Sequence, residues 1–151
     1  MLKTLLARLV RSARSEEPAR ARLESSLAQE AAGRLEAAES GYRELLASQP
    51  DRADLCGLLG NNLVRQRRVD EAVHWLARAT HIDANVPEAH YMLGGALSSL
   101  GRHEEAVRAL RAALALRRDF PAALNCLANT LMVAGRRAEA EVAYLQAHAL
   151  Q

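Results

Sequence analysis

Residues 87–120 read PEAHYMLGGALSSLGRHEEAVRALRAALALRRDF, and this stretch decides the fold. Shifted back by 34 residues it aligns with Ala53–Val86; shifted forward it aligns with Pro121–Gln151. A looser unit, Ala19–Arg52, carries the frame toward the N-terminus. With each unit numbered from 1 to 34, position 20 is alanine four times: Ala38, Ala72, Ala106 and Ala140. Position 8 reads Ser26, Gly60, Gly94 and Ala128. Position 7 reads Ser25, Leu59, Leu93 and Leu127, and position 11 reads Gln29, Leu63, Leu97 and Leu131. Position 24 is Tyr42, Leu76, Leu110 and Tyr144; position 27 is Leu45, Ala79, Ala113 and Ala147. A recurrence at this period predicts an array of small structural repeats.

The chemistry of the frame predicts what each repeat is. Positions 7 and 11 lie about one turn apart and stripe a first helix, while positions 20, 24 and 27 stripe a second. Between them stands Gly33, Gly101 or Gly135, a residue that leaves a helix through φ > 0. Arg67 takes that place in the second unit. Asp70, Glu71, Glu104, Glu105 and Glu139 then open the second helix, where the macrodipole favours acids. Asp51, Asn85 and Asp119 at position 33 are expected to cap the next first helix. The pairs Arg67-Arg68, Arg117-Arg118 and Arg136-Arg137 are expected at helix turns or ends, where an arginine near a C-terminus complements the dipole; the other reading is an outer basic ridge for acidic partners. Small residues at 8 and 20 let the two helices of a unit approach closely.

Composition agrees and narrows the function classes. Half of the 151 residues are apolar, with one Trp, three Tyr and one Phe. The remainder of that apolar content is dominated by Ala and Leu, strong helix formers. The class is all-α. The 20 basic and 18 acidic residues are mixed along the chain, giving a net charge of +2 and no basic stripe of the kind nucleic acid needs. Cys56 and Cys126 form no CxxC and stand far apart, so reduced thiols are expected rather than a disulfide or metal site. His74, His81, His90, His103 and His148 fall at different frame positions. No phosphate loop, HExxH or nucleophile elbow occurs, so neither catalysis, cofactor nor metal is expected. Lys3, Arg8 and Arg11 break any signal-like apolar core, and no run approaches the ~20 apolar residues of a membrane span. A reducing cytoplasm is the expected compartment.

Residues 1–17 form a separate segment. Leu2, Leu5, Leu6, Leu9 and Val10 recur at helical spacing among Lys3, Arg8, Arg11 and Arg14, predicting a basic amphipathic helix. It can cap the repeats, lie on an anionic membrane, or dock a partner. Ser12–Pro18 reads as a linker, with Pro18 in the first turn of the next helix.

Leu59-Gly60, Leu93-Gly94, Ala72, Ala106, Ala140, Tyr144, Ala113 and Pro50 resemble the signature of the tetratricopeptide repeat. The resemblance covers 19–151 and implies a right-handed superhelical solenoid of antiparallel helix pairs. Its repeats are 19–52, 53–86, 87–120 and 121–151, the first degenerate. Ser25, Ser26 and Gln29 mark that first unit as a worn, solvent-facing terminal repeat. The last unit stops at its position 31, so Val142, Leu145 and Leu150 are expected partly bare. Either the chain self-associates there or the native gene runs on.

The resemblance also implies use: such arrays bind proteins in a groove lined by positions 2, 5, 9, 12 and 13. Here those are Asp54, Gly57, Asn61, Val64 and Arg65, then Glu88, Tyr91, Gly95, Ser98 and Ser99, then Asn125, Asn129, Met132 and Val133. Amides can hydrogen-bond a peptide backbone, and small residues leave room for its side chains. Tyr91 has a second reading, packing against the neighbouring unit. The family's two-carboxylate clamp is not expected, because Gly57, Asn61, Met92, Ala122 and Cys126 stand at its places and only Asn61 matches. Nor is the asparagine ladder of sugar-transferring relatives, whose places hold Glu24, Leu58, Met92 and Cys126. The expected function is a bacterial-style adaptor for a peptide or helix. The alternatives are a recruiting arm of a larger glycosyl- or sulfo-transferase and a membrane-peripheral scaffold held by residues 1–14.

Overall fold

A computed structural model describes residues 2–150, with side chains from Glu17 onward. Among the described residues there are eight helices and no strand. They come in pairs: α1 (Leu2–Ala31) with α2 (Leu35–Ser48), α3 (Ala53–Arg65) with α4 (Val69–Ile82), α5 (Pro87–Ser99) with α6 (His103–Leu116), and α7 (Pro121–Val133) with α8 (Arg137–Ala149). The chain divides into two compact units, Met1–Pro50 and Asp51–Gln151. The architecture is an all-α repeat solenoid. No helix among the described residues is long and apolar enough to cross a membrane.

Each pair turns on the same device. Gly33, Arg67, Gly101 and Gly135 have φ of 76°, 64°, 74° and 77°. The amides of Arg34, Arg68, Arg102 and Arg136 then donate back to the carbonyls of Gln29, Leu63, Leu97 and Leu131, at 2.8–3.0 Å. This six-to-one bond closes the end of the first helix. The arginine that makes it is also the N-cap residue of the second helix. In the last three pairs its side chain reaches one turn ahead, Arg102 Nε to Glu105 and Arg136 Nε to Glu139 at 2.7 Å and Arg68 to Glu71, whereas Arg34 bonds back to Gln29. Arginine at position 16 in every unit is a signal the sequence reading missed. It corrects the expectation for Arg68 and Arg136, which stand at helix N-termini and are neutralised there by the acids of the first turn.

The capping expectation also fails by one residue. The N-caps of α3, α5 and α7 are Arg52, Val86 and Phe120, without side-chain cap bonds; Asp51, Asn85 and Asp119 precede them. In α5 and α7 proline holds the first helical position, where its missing N–H costs nothing and the residue before it is pushed out of the α region. In the second loop the side-chain bond runs inside the turn, from Asn85 N–H to Asp83 Oδ1 at 2.9 Å.

Within Asp51–Gln151 the frame's small residues meet as expected. Ala72, Ala106 and Ala140 are 0% exposed. A Cβ on Gly60 would stand 2.6 Å from Leu76 Cγ, and one on Gly94 2.6 Å from Leu110 Cγ. Position 8 is thus where the helices of a pair cross most closely. Val107, Leu110, Leu127, Ala128, Leu131, Ala140 and Ala143 form one continuous apolar cluster. Val142, Leu145 and Leu150 are exposed, as the sequence predicts.

The first unit solves the same crossing the other way round. Ser26 is buried rather than solvent-facing, its hydroxyl donating to the Arg22 carbonyl at 2.9 Å. The glycine has moved to the facing helix: a Cβ on Gly41 would fall on the Ser26 hydroxyl. Tyr42 is fully buried and its hydroxyl donates to Glu30 Oε2 at 2.6 Å. Pro18 lies inside α1, which runs unbroken through 12–18, so that segment is helix rather than linker. Proline's fixed φ is already helical, and what is lost is the bond its N–H would make. The side chains of residues 1–14, on which the three readings of the N-terminal segment depend, lie outside the described residues.

Candidate functional site

Of the groove positions expected from the sequence, three share one cleft. Asp54, Gly57 and Asn61, on successive turns of α3, line a cleft of about 840 Å³. Ala89 and Met92 of α5, Ala79 and Ile82 of α4, and Asp83 and Val86 after it complete the lining together with Leu58 and the segment 51–53. The approach is close without being tight, since a Cβ on Gly57 would meet Met92 Cε at 3.8 Å. Leu58 and Met92, the two position-6 residues, supply much of the apolar floor. The sequence reading considered them only as missing asparagines. The signal that could have found them is that position 6 neighbours 2, 5 and 9 on one helical face.

The charged groups stand on the rim. Arg52 binds Asp54 through two bonds, Nε to Oδ1 at 2.8 Å and Nη2 to Oδ2 at 2.5 Å. That contact holds the Asp54 carboxyl below the usual range for an aspartate and raises the arginine. Arg78 lies 4.0 Å from Asp51 and 5.6 Å above the Trp75 ring.

The remaining expected residues fall outside this cleft. Val64 is half-buried and Arg65 exposed on the last turn of α3. Glu88 is ion-paired with Arg117 at 2.7 Å, and the guanidinium of Arg117 sits 3.9 Å above the Phe120 ring. Tyr91 packs on that same ring within its own unit, centroids 5.1 Å apart, and against the apolar cluster that includes Leu127, Ala128 and Leu131 of the next unit. A Cβ on Gly95 would stand 4.0 Å from Cys126 Sγ. Ser98 lies 3.0 Å from the hydroxyl of buried Thr130, which itself donates to the Cys126 carbonyl at 2.7 Å. The Ser99 hydroxyl donates to the Gly95 carbonyl. Asn125 is half-buried; Asn129 is exposed and accepts a bond from the Tyr144 hydroxyl. Met132 and Val133 are exposed at the end of α7.

Among the described residues no three His, Cys, Asp or Glu gather as a metal site. Cys56 is buried and Cys126 half-buried, and burial raises both thiols. His90 Nε2 rests 2.9 Å from the Ala84 carbonyl, and His74 sits edge-on to Trp75.

Two family models, both described as tetratricopeptide repeat, match this chain over residues 29–95 and 87–120. The chain belongs to the tetratricopeptide repeat family. No curated protein sequence matches it. Among solved structures, a crystal structure of MamA protein is similar with TM-score 0.85 at 21% identity, over 89% of this chain and 74% of that one. A second MamA structure, AMB-1, reaches TM-score 0.77 at 26% identity, covering 85% and 70%. YrrB, described as a TPR protein with an unusual peptide-binding site, has TM-score 0.80 at 22% identity, covering 88% and 69%. At these identities the likeness is one of fold. The family supports a protein-interaction module.

Proposed function

We propose that this tetratricopeptide repeat chain is a non-catalytic adaptor that holds a peptide segment or helix in the cleft between α3 and α5. One observation carries the reading. Three residues expected from the frame, Asp54, Gly57 and Asn61, line an open cleft with an apolar floor and one amide within it. An apolar floor with a few placed polar groups is the usual composition of a binding site. YrrB's described peptide-binding site is consistent with such a use of the fold. Asn61 supplies a donor and an acceptor for a peptide backbone.

The test is affinity capture from native lysate with the wild-type chain, Asn61→Ala and Gly57→Leu. Leucine at position 57 starts from a Cβ in ordinary contact with Met92 and fills the cleft without displacing a helix. Both variants are expected to keep the wild-type circular dichroism and to lose the captured protein. Equal capture by a folded Gly57→Leu chain moves the site elsewhere. A second reading rests on the other end of the array, where Leu145 is 70% and Val133 71% exposed. Self-association there predicts a concentration-dependent mass by light scattering that Leu145→Lys abolishes.

A further inference from the structure

The charged residues of the cleft are mostly acidic. Its lining includes Asp51, Asp54 and Asp83 but a single cation, Arg52. That guanidinium is already bound through both bonds to Asp54. The Asp51 side chain is 89% exposed, and its nearest ion-pair partner, Arg78, stands 4.0 Å away. Asp83 is exposed and accepts the Asn85 amide at one carboxylate oxygen. No lysine or histidine is among the lining residues. Of the family's carboxylate-clamp places on this cleft only Asn61 matches; Gly57 and Met92 hold the others, so the clamp's lysine for an acidic tail is missing.

We propose that the cleft selects a basic, apolar peptide segment, one large aliphatic or aromatic side chain flanked by Arg or Lys. The inference rests on the adaptor reading above and names its partner by chemistry. The large side chain occupies the floor against Leu58, Ile82 and Met92, where it is removed from water. The flanking cations meet the rim carboxylates of Asp51 and Asp83, which remain in contact with solvent. Such exposed pairs contribute little each, about two- to fivefold in affinity per carboxylate. They act more strongly on which partner is accepted: an acidic segment brings like charges together on the rim, and this repulsion excludes it.

The probe is a phage-displayed random dodecapeptide library, selected in parallel on the full wild-type chain, on Asp51→Asn, on Asp51→Asn/Asp83→Asn and on Gly57→Leu. Asp51→Asn alters one solvated side chain, so folding is retained even if the double variant proves unstable; circular dichroism verifies each. The wild-type chain is expected to enrich sequences in which Leu, Ile, Met, Phe or Trp has Arg or Lys within three positions. The best peptide, made synthetically, is expected to bind about two- to fivefold more weakly to Asp51→Asn. Its affinity is also expected to fall as NaCl rises from about 50 to about 500 mM, as screened rim charges require. Apolar enrichment without basic flanks, or with acidic ones, overturns this inference and leaves the adaptor reading standing. So does a peptide whose affinity is the same on the wild-type chain and Asp51→Asn. Selection that is unchanged on Gly57→Leu, or no enrichment on any chain, overturns both.

Discussion

Gly94 and Gly95 are neighbours on α5, and their replacement by alanine is expected to have opposite effects on stability. A Cβ on Gly94 would lie 2.6 Å from Leu110 Cγ, 3.0 Å from its Cδ2 and 3.2 Å from the Ala106 carbonyl oxygen. Two of these are hard to move: a branched carbon of a fully buried leucine and a backbone atom of α6. Ordinary contact begins at 3.4 Å, so α5 and α6 must separate or Leu110 must leave its rotamer. Overpacking of this kind costs about 1–3 kcal/mol. Alanine in a helix interior returns about 0.5–1 kcal/mol over glycine. The net loss for Gly94→Ala is centred on about 1.2 kcal/mol with an upper end of about 2.5, or about 2–5 °C in Tm at the centre for a chain of this size. At Gly95 the added Cβ meets only Cys126 Sγ, at 4.0 Å. Here the helix term stands alone, and Gly95→Ala is expected to gain about 0.5–1 kcal/mol. Urea unfolding followed at 222 nm measures both. Truncating the obstacle adds a third arm: the cost of Gly94→Ala is expected to shrink in a Leu110→Ala background, a non-additivity that marks direct contact. Equal shifts of the same sign for the two glycines would refute the claim that position 8 sets the helix crossing.

Arg67→Gly is expected to stabilise the chain by about 0.5–1 kcal/mol in urea unfolding, because Arg67 holds φ 64° where the other units have glycine. Hydrogen bonds from Arg102 and Arg136 hold the Glu105 and Glu139 carboxyls below their ordinary value of 4.5. Their contribution is therefore present above that value and is lost as pH falls through the lower folded values. The stability gap between the wild type and Glu105→Gln/Glu139→Gln at pH 7 is expected to close in acid below pH 4.5, read as the difference in urea midpoint. Cys56 is 0% exposed, so its modification by a thiol reagent is expected to follow global unfolding, with half-buried Cys126 reacting sooner. Phe120→Ala removes the ring shared by Tyr91 and Arg117 and is expected to cost about 2–4 kcal/mol, measured as a fall in urea midpoint at unchanged slope.

Within residues 53–151 the amino-acid order by itself determined the helix pairs and their buried faces. Alanine at position 20, glycine at 15 and leucine at 11 are local requirements: no room at a crossing, a positive φ, a stripe one turn long. A periodic sequence displays such requirements directly, and the structure meets them at Ala38, Ala72, Ala106 and Ala140. It even honours the turn at Arg67, where the side chain is wrong and the backbone conformation is kept. Tertiary structure decided the rest. The frame placed Tyr91 and Gly57 at the same position 5, yet Phe120 covers one and a cleft opens beside the other. It scored Ser26 as a defect, and only the facing helix shows that Gly41 makes room for it. It did not foresee Ile82 and Val86 as walls, because they come from the end of α4 and the loop after it. The periodicity of one helix reports which side is buried. Which exposed side chains of different helices converge is set by the distance and angle at which those helices cross, and that depends on residues in both at once.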